Sequence, residues 1–201
     1  GGDFEVNAKL FCFEYLASFE GLENLETIGG NFKVIAESSF KGLNGLKSIG
    51  GDFEVNANSS LESFEGLESL ETIGGNFKII DNESSLNALS SFKGLSSLKS
   101  IGGDFEVKAR VLESFEGLEN LTNIGDKLTI KGCSSLNNID ALKNIESLND
   151  ISITTCPKLY DFCVLQNVVQ NMSGTFYLNN NGYNPTKYQL LNGECSQIPQ
   201  E

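Results

Sequence analysis

One short phrase, Ile-Gly-Gly-(Asp/Asn)-Phe-(Glu/Lys)-(Val/Ile), returns along this chain and limits its fold more than any other feature. Full copies begin at Ile28, Ile49, Ile73 and Ile101, and a copy without the isoleucine opens the chain at Gly1. A second phrase, Ser-Phe-(Glu/Lys)-Gly-Leu-x-x-Leu, alternates with it and begins at Ser18, Ser39, Ser63, Ser91 and Ser114. Self-similarity with a period of about 20 to 50 residues is typical of stacked-repeat proteins. The sequence therefore predicts a solenoid.

The repeat runs nearly from end to end, so we predict a single elongated domain over residues 1–201. Regular coils extend to about residue 160, and residues 161–201 form a C-terminal coil and cap. A hydrophobic content of 39% supplies a continuous core, and only three prolines interrupt the chain. Because Gly1 stands inside a repeat, we expect residues to precede it in the natural protein, including any export signal.

Apolar residues two apart mark one strand in each coil, because a period of two is typical of a strand with one buried face. The pairs are Phe4/Val6, Phe32/Val34, Phe53/Val55, Phe77/Ile79, Phe105/Val107, Leu128/Ile130, Ile151/Ile153 and Phe176/Leu178. The Gly-Gly pair before each regular strand predicts a tight corner, where either a positive φ or a close approach of two backbones requires glycine.

Between these strands, apolar residues fall three apart, as in Phe19, Leu22, Leu25 and Ile28. This run is too short for a long helix and suits either a 3₁₀ turn or a second short strand. The predicted fold is therefore mainly β, a β-helix-like leucine-rich-repeat solenoid with short 3₁₀ or helical turns. At its C-terminal end, the helical spacing of Leu165, Val168, Val169 and Met172 predicts a helix over the open core.

Charge alternates in sign from one coil to the next at two positions of the repeat. On the strands it reads Glu5, Lys33, Glu54, Lys78, Glu106. At the Phe-x-Gly-Leu turns it reads Glu20, Lys41, Glu65, Lys93, Glu116. Parallel strands lie about 4.8 Å apart, so each glutamate is expected beside a lysine. We interpret these ladders first as a device for stability and register rather than as a charged binding surface.

Composition disfavours several classes of function. A net charge of −13 repels nucleic acids and anionic membranes. No run approaches the roughly 20 apolar residues of a membrane span. There are five cysteines but no histidine and no Cys-x-x-Cys pair, so the usual zinc spacings are missing. We predict no cofactor and no metal site.

Catalysis is the least favoured hypothesis, and no catalytic residues are predicted. The chain has no Gly-x-Ser-x-Gly elbow, and its Gly-Gly pairs do not form a phosphate-binding loop. A carbohydrate-active β-helix enzyme needs two carboxylates about 5–10 Å apart in a cleft. Asp3 and Asp52 satisfy that separation by strand spacing. However, Asn31 lies between them, as Asn76 lies between Asp52 and Asp104, which indicates a flat repeated surface.

The cysteines leave two questions open. A disulfide between Cys163 and Cys195 would close the irregular C-terminal cap and would imply an oxidising compartment. Cys133 and Cys156 hold equivalent positions on neighbouring coils, where we expect two stacked, buried thiols rather than a bridge.

Two groups of residues are candidates for ligand contact. Ile35 and Ile80 are expected to face outward beside Lys33 and Lys78, either as a small contact patch or as ordinary surface. Tyr177, Tyr183 and Tyr188 stand among asparagines near the C-terminus. Tyrosine with asparagine is typical of surfaces that contact carbohydrate or protein, but also of an ordinary capping loop, which we favour.

The pattern Leu-x-x-(Ile/Leu)-Gly-x-x-(Leu/Phe)-x-Ile-x₅-Leu over residues 121–136 resembles the receptor L domain. A closer similarity is to bacterial leucine-rich surface proteins that carry such domains, often as exported lipoproteins. The stretches 156–163, 181–186 and 193–195 resemble the end piece of that group. The Gly-Gly-Asp-Phe copies are more regular here than is usual for it. The resemblance implies a right-handed solenoid and a module for binding or adhesion.

Three functional hypotheses follow. The first is a non-catalytic module, exported to the cell surface or periplasm, that binds a protein or glycan. The alternative is a structural spacer that displays another domain and has no ligand of its own. The carbohydrate-active enzyme comes third. Any lipid anchor is expected upstream of Gly1.

Overall fold

A computed structural model of the chain describes residues 2–7, 19–36, 39–57, 61–81, 89–197 and 199. It is a β-solenoid built on two parallel sheets, which confirms the predicted fold class. The strands are β1 (Phe4–Asn7), β2 (Thr27–Ile28), β3 (Phe32–Ala36), β4 (Ser48–Ile49), β5 (Phe53–Ala57), β6 (Thr72–Ile73), β7 (Phe77–Asp81), β8 (Ser100–Ile101), β9 (Phe105–Lys108), β10 (Asn123–Ile124), β11 (Lys127–Lys131), β12 (Asp150–Thr154) and β13 (Phe176–Asn179).

The large sheet holds eight strands in the order β1-β3-β5-β7-β9-β11-β12-β13, and the small sheet holds β2-β4-β6-β8-β10. Neighbouring strands of the large sheet pair so that equivalent residues of successive coils are opposite one another. Phe53, for example, lies between Phe32 and Phe77 in the register. All eight apolar pairs seen in the sequence occupy these strands, so the strand phase is confirmed.

Two columns of phenylalanine fill the N-terminal half of the core. In the column from the large sheet, the Phe53 and Phe77 rings stack with centroids 5.0 Å apart and planes 2° apart. The second column comes from the Phe-x-Gly-Leu phrase, and its Phe64 meets Phe77 edge to face at 5.9 Å and 74°. All three rings are fully buried. Stacked and edge-to-face contacts are the two favoured geometries of aromatic pairs, so the columns hold successive coils in one register.

The segment between the sheets combines both structures that the sequence left open. In one coil, Leu43 N–H donates to the Phe40 carbonyl at 3.1 Å, and Leu46 N–H donates to the Leu43 carbonyl at 2.9 Å. These are turns of the 3₁₀ type. The two-residue strand β4 follows directly. The spacing of three therefore points each leucine into the core before the chain enters the small sheet.

Glycine is required twice in each regular coil, for different reasons. In the Gly-Gly corner the reason is a close approach, since a Cβ on Gly74 would collide with the Gly50 carbonyl oxygen. The glycine of Phe-x-Gly-Leu has a positive φ, for example 106° at Gly66 and 102° at Gly94. The sequence analysis did not single out this second glycine. Its Cβ would also collide with backbone, as that of Gly94 would with the Phe64 carbonyl.

The C-terminal end of the solenoid is covered by short helices. A first 3₁₀ helix spans Asp140–Asn144, and a second, Cys163–Leu165, leads into α1 (Gln166–Asn171). Leu165, Val168, Val169 and Met172 are buried in and beside α1, which confirms the predicted helix. α2 (Lys187–Leu191) follows, and a disulfide joins Cys163 to Cys195.

The Asn181 side chain satisfies two backbone groups of the preceding coil. Its side-chain Oδ1 accepts the Cys156 N–H at 3.0 Å, and its Nδ2 donates to the Ile153 carbonyl at 2.9 Å. It is one of the few buried polar residues. Asn181 stands where the two preceding coils have Cys133 and Cys156, so an amide replaces the thiol in the next coil.

We expect Asn181→Ala to lower the free energy of unfolding by about 2–4 kcal/mol, because a buried N–H and a buried carbonyl each lose their partner. Urea denaturation measures this loss. Asn179→Ala is the matched control, since Asn179 is exposed on β13. Equal stability of the two variants would contradict the role assigned to Asn181.

Candidate functional site

Ion pairs connect successive coils at both positions where the sequence alternates in charge. On the large sheet, Lys33 Nζ lies 3.2 Å from Glu54 Oε1, and Lys78 Nζ lies 3.3 Å from Glu106 Oε2. At the turns the pairs are Glu20–Lys41 at 3.5 Å and Lys93–Glu116 at 3.4 Å. The predicted alternation is confirmed. Exposed pairs of this kind each contribute at most about 1 kcal/mol.

A third ladder lies beside the small sheet, and the sequence analysis missed it. Lys47 Nζ is 2.8 Å from Glu26 Oε1, and Lys99 Nζ is 2.7 Å from Glu71 Oε2. The hydrogen bond from each lysine, together with its charge, lowers the pKa of Glu26 and of Glu71. The sequence does contain this pattern, because the residue before each Thr-Ile or Ser-Ile pair alternates between glutamate and lysine.

The alternating Asp and Asn residues at the corners hold backbone in place. Asp3 Oδ1 accepts the Asn31 N–H at 2.9 Å, and Asn31 Oδ1 accepts the Asp52 N–H at 2.7 Å. Asp52 Oδ1 in turn accepts the Asn76 N–H at 2.7 Å. Each side chain thus satisfies the backbone of the next coil. This is a structural role for Asp3 and Asp52.

The charge alternation of the large sheet stops after β9. In the register, Glu106 is followed by Thr129, then Ser152, then Tyr177. In the parallel outward row, the exposed Lys131 pairs with Thr154, and Thr154 pairs with Asn179. The uncharged outward residues of β11, β12 and β13, which Lys131 borders, are called the neutral face here: Thr129, Ser152, Thr154, Tyr177 and Asn179.

Tyr177 is the prominent group of the neutral face, with 49% of its surface exposed. It projects from β13, while Phe176 and Leu178 on either side pack against the core. Ser152 and Thr154 of the neighbouring strand β12 and Asn179 of β13 itself lie beside it on the same face of the sheet. Because the strands are held by backbone hydrogen bonds, this surface offers an aromatic ring and polar groups in a rigid arrangement.

The predicted patch around Ile35 and Ile80 is part of the charge ladder. Lys33 and Lys78 both form ion pairs along it. Ile80 is half-buried and lies between Asn56 and Lys108 in the register. The side chain of Ile35 lies outside what the structure describes. Four strand spacings, about 19 Å, separate β7 from β13, so Ile80 and Tyr177 do not share a site.

The three predicted tyrosines occupy three different surroundings. The Tyr183 ring packs against the core, and its hydroxyl donates to the Glu194 carbonyl at 3.0 Å, which makes it part of the cap. Tyr188 lies on α2 and is 76% exposed, near the 41% exposed Leu191. Tyr177 alone of the three belongs to the large sheet. The structure therefore does not bring them together.

The two remaining described cysteines are buried thiols, as the sequence predicts. Cys133 and Cys156 lie on neighbouring coils. A hydrogen bond to the Cys156 sulfur, together with burial, raises the pKa of the Cys133 thiol. A thiol held protonated in the core is a poor nucleophile. We assign this pair to packing.

Within the ranges that the structure describes, no group of three or more His, Cys, Asp or Glu side chains is arranged to hold a metal ion. In the same part of the chain, no helix is both long and apolar enough to cross a membrane. Comparison with protein-family models finds no match for this chain, and a search of curated proteins finds no significant match either.

Proposed function

We propose that this protein is a non-catalytic binding module that contacts a protein or glycan through the neutral face. The observation that carries the proposal is the end of the charge alternation at Glu106. Up to that strand, the outward charges are matched by neighbours of opposite sign. Beyond it, the same row presents two hydroxyls and the exposed ring of Tyr177, and the next row presents Lys131 beside Thr154 and Asn179.

The physical case rests on desolvation and rigidity. A matched ion ladder must lose the water around its charges before a ligand can cover it, so covering it is costly. A tyrosine with neighbouring hydroxyls loses less on desolvation and offers both apolar area and hydrogen bonds. Since the sheet holds these groups in place before binding, little conformational entropy is lost.

The proposed location is outside the cytoplasm, at the cell surface or in the periplasm. The disulfide between Cys163 and Cys195 supports this location, because disulfides persist in oxidising compartments. The resemblance of the sequence to bacterial leucine-rich surface proteins points the same way. Adhesion or ligand capture is the function that this resemblance and the neutral face support together.

The test is an array of glycans, mucins and extracellular-matrix proteins, probed with purified protein at physiological salt. We expect a reproducible ligand whose affinity falls by about 10- to 100-fold in Tyr177→Ser, because a central aromatic contact of this kind is worth about 1–3 kcal/mol. Tyr188→Ser is the matched control, since it removes a more exposed tyrosine from α2. A ligand that binds Tyr177→Ser and wild type equally would exclude the neutral face.

The alternative is a spacer, and the three ion ladders favour it. Their ion pairs join neighbouring coils and occupy charged groups that a ligand would otherwise contact. If the protein is a spacer, we expect no ligand of the array to bind and a partner domain to be joined to the same chain. Both results together would replace the binding proposal.

A further inference from the structure

A cleft of about 420 Å³ opens between the last three coils, on a different surface from the neutral face. None of its lining residues belongs to the large sheet. The residues that matter for its chemistry are Asn120, Thr122, Lys143, Asn144, Glu146 and Asn171. Its volume falls within the roughly 300–1,000 Å³ typical of small-molecule sites.

The amides of the cleft are held with a fixed orientation. Asn120 Nδ2 donates to the Ser96 carbonyl at 2.7 Å, and Asn144 Nδ2 donates to the Glu119 carbonyl at 2.6 Å. Each amide nitrogen is thus bound to the backbone one coil closer to the N-terminus. The Oδ1 atom of each amide points away from that bond, as a pre-oriented acceptor.

Lys143 occupies a turn position that holds a hydrogen-bond acceptor in most other coils. In four of the five preceding coils, a carboxylate or amide at this position accepts the N–H of the glycine two residues before it, and Ser96 takes the place in the fifth. Glu23 accepts from Gly21 at 2.9 Å, and Glu68 accepts from Gly66 at 2.9 Å. A lysine ammonium cannot accept a hydrogen bond. The coil of Lys143 instead forms the 3₁₀ helix Asp140–Asn144, and the lysine side chain lines the cleft.

Glu146 holds a position of the third charge ladder, but the residue before it in that ladder is uncharged. The ladder reads Glu26, Lys47, Glu71 and Lys99, and Thr122 then takes the next place before Glu146. Thr122 donates its hydroxyl to the Lys99 carbonyl at 3.2 Å. Among the described residues, Glu146 and Lys143 form no ion pair with each other. The cleft therefore holds one carboxylate and one ammonium that are separately available.

These groups define the chemistry of a ligand. A carboxylate and fixed amide oxygens accept hydrogen bonds from hydroxyls, while an ammonium donates to hydroxyl or ring oxygens. Opposite charges in one cleft disfavour a ligand with a net charge of either sign. Ile145 lies between Asn144 and Glu146 at the cleft, but it is 3% exposed and packs in the core. A neutral, hydroxyl-rich molecule satisfies the polar groups of the cleft.

We propose that this cleft binds a neutral saccharide, one or two sugar residues in length. Glu146 and the Oδ1 atoms of Asn120 and Asn144 accept from sugar hydroxyls, and Lys143 donates to a sugar oxygen. The site shares no residue with the neutral face, so it does not depend on the function proposed for that surface.

The test uses protein made in bacteria, because 120–122 and 171–173 are Asn-x-Ser/Thr acceptor triplets in a eukaryotic secretory pathway. The probes are neutral hexoses, N-acetylhexosamines and their disaccharides, with glucuronic acid and glucosamine as charged counterparts. Calorimetry measures affinity, and NMR shifts locate the bound sugar. We expect one neutral sugar to bind and to shift the signals of residues that line the cleft.

Glu146→Gln and Lys143→Met are each expected to weaken that binding by about tenfold or more, since each removes a charge-assisted hydrogen bond. Glu113→Gln and Lys158→Met are matched controls, because they make the same changes at exposed positions outside the cleft. Thermal unfolding checks that all four variants are folded.

Four results would overturn the proposal. One is the failure of every neutral sugar to bind. The second is unchanged affinity in both cleft variants, and the third is tighter binding of a charged counterpart. The fourth is loss of sugar binding in Tyr177→Ser with the cleft variants unaffected, which would assign the sugar to the neutral face. Conversely, cleft binding that survives Tyr177→Ser would support this site even if the array ligand of the neutral face were never found.

Discussion

Phe77→Asp is expected to abolish the cooperative folding of this protein. The Phe77 ring is fully buried and stacks between Phe53 at 5.0 Å and Phe105 at 5.1 Å. An aspartate at this position leaves a cavity and a carboxylate without a partner in the core. Together these effects approach or exceed the roughly 5–15 kcal/mol that stabilises a typical domain. Circular dichroism and urea denaturation measure the result, and Phe53→Asp is expected to behave alike.

Two controls separate this effect from ordinary sensitivity to mutation. Ser152→Asp places the same side chain on the outward face of β12 and is expected to change stability by less than about 1 kcal/mol. Phe77→Leu keeps the site apolar and is expected to leave the protein folded, though less stable. A soluble Phe77→Asp variant that unfolds cooperatively near the wild-type midpoint would show that the strand phase is wrong.

The second large effect is expected from Gly94→Ala, which should lower the free energy of unfolding by about 3 kcal/mol or more. The φ of Gly94 is 102°, where an L-residue is strained by about 1–2 kcal/mol. The added Cβ also collides with the carbonyl of Phe64 on the preceding coil. Relieving such a collision moves packed backbone and typically costs a further 1–3 kcal/mol or so. Urea denaturation measures the sum.

Gly21→Ala is the matched control for this prediction. Gly21 holds the same place in its phrase and has a φ of 95°. A Cβ added there meets nothing within 4 Å in the described structure. Gly21→Ala therefore carries the conformational strain without the collision, and we expect a loss of only about 1–2 kcal/mol. Equal losses in the two variants would mean that close stacking of the turns does not matter for stability.

Most of the fold was readable from the sequence because a solenoid is close to one-dimensional. Each coil contacts only its neighbours, so a residue such as Phe53 repeats the environment of Phe32 and Phe77. The period of two identified the buried face, and the alternating charges identified which strands are adjacent. The charge ladder beside the small sheet was not predicted, because the residue before each Thr-Ile or Ser-Ile pair was not compared between coils.

The glycines show where such inference becomes ambiguous. The Gly-Gly corner was predicted to need either positive φ or close backbone approach, and the sequence offers no means to choose. The structure places the close approach at Gly74 and the positive φ at Gly94 in the other phrase. Both conditions depend on how one coil sits above the next. They are properties of stacking, which residue identity alone does not report.

The candidate sites divide in the same way. By itself, the sequence determined the strand phase, the core columns and the neighbours along each ladder, because these follow from a pattern repeated at nearly every coil. Only the tertiary structure decided that Tyr183 belongs to the cap while Tyr177 projects from the sheet. It also decided that Asn120, Lys143 and Glu146 line one cleft. Apart from Asn120, these residues lie in the last coils, where the pattern breaks, and there a side chain's neighbours depend on the path of the chain in space.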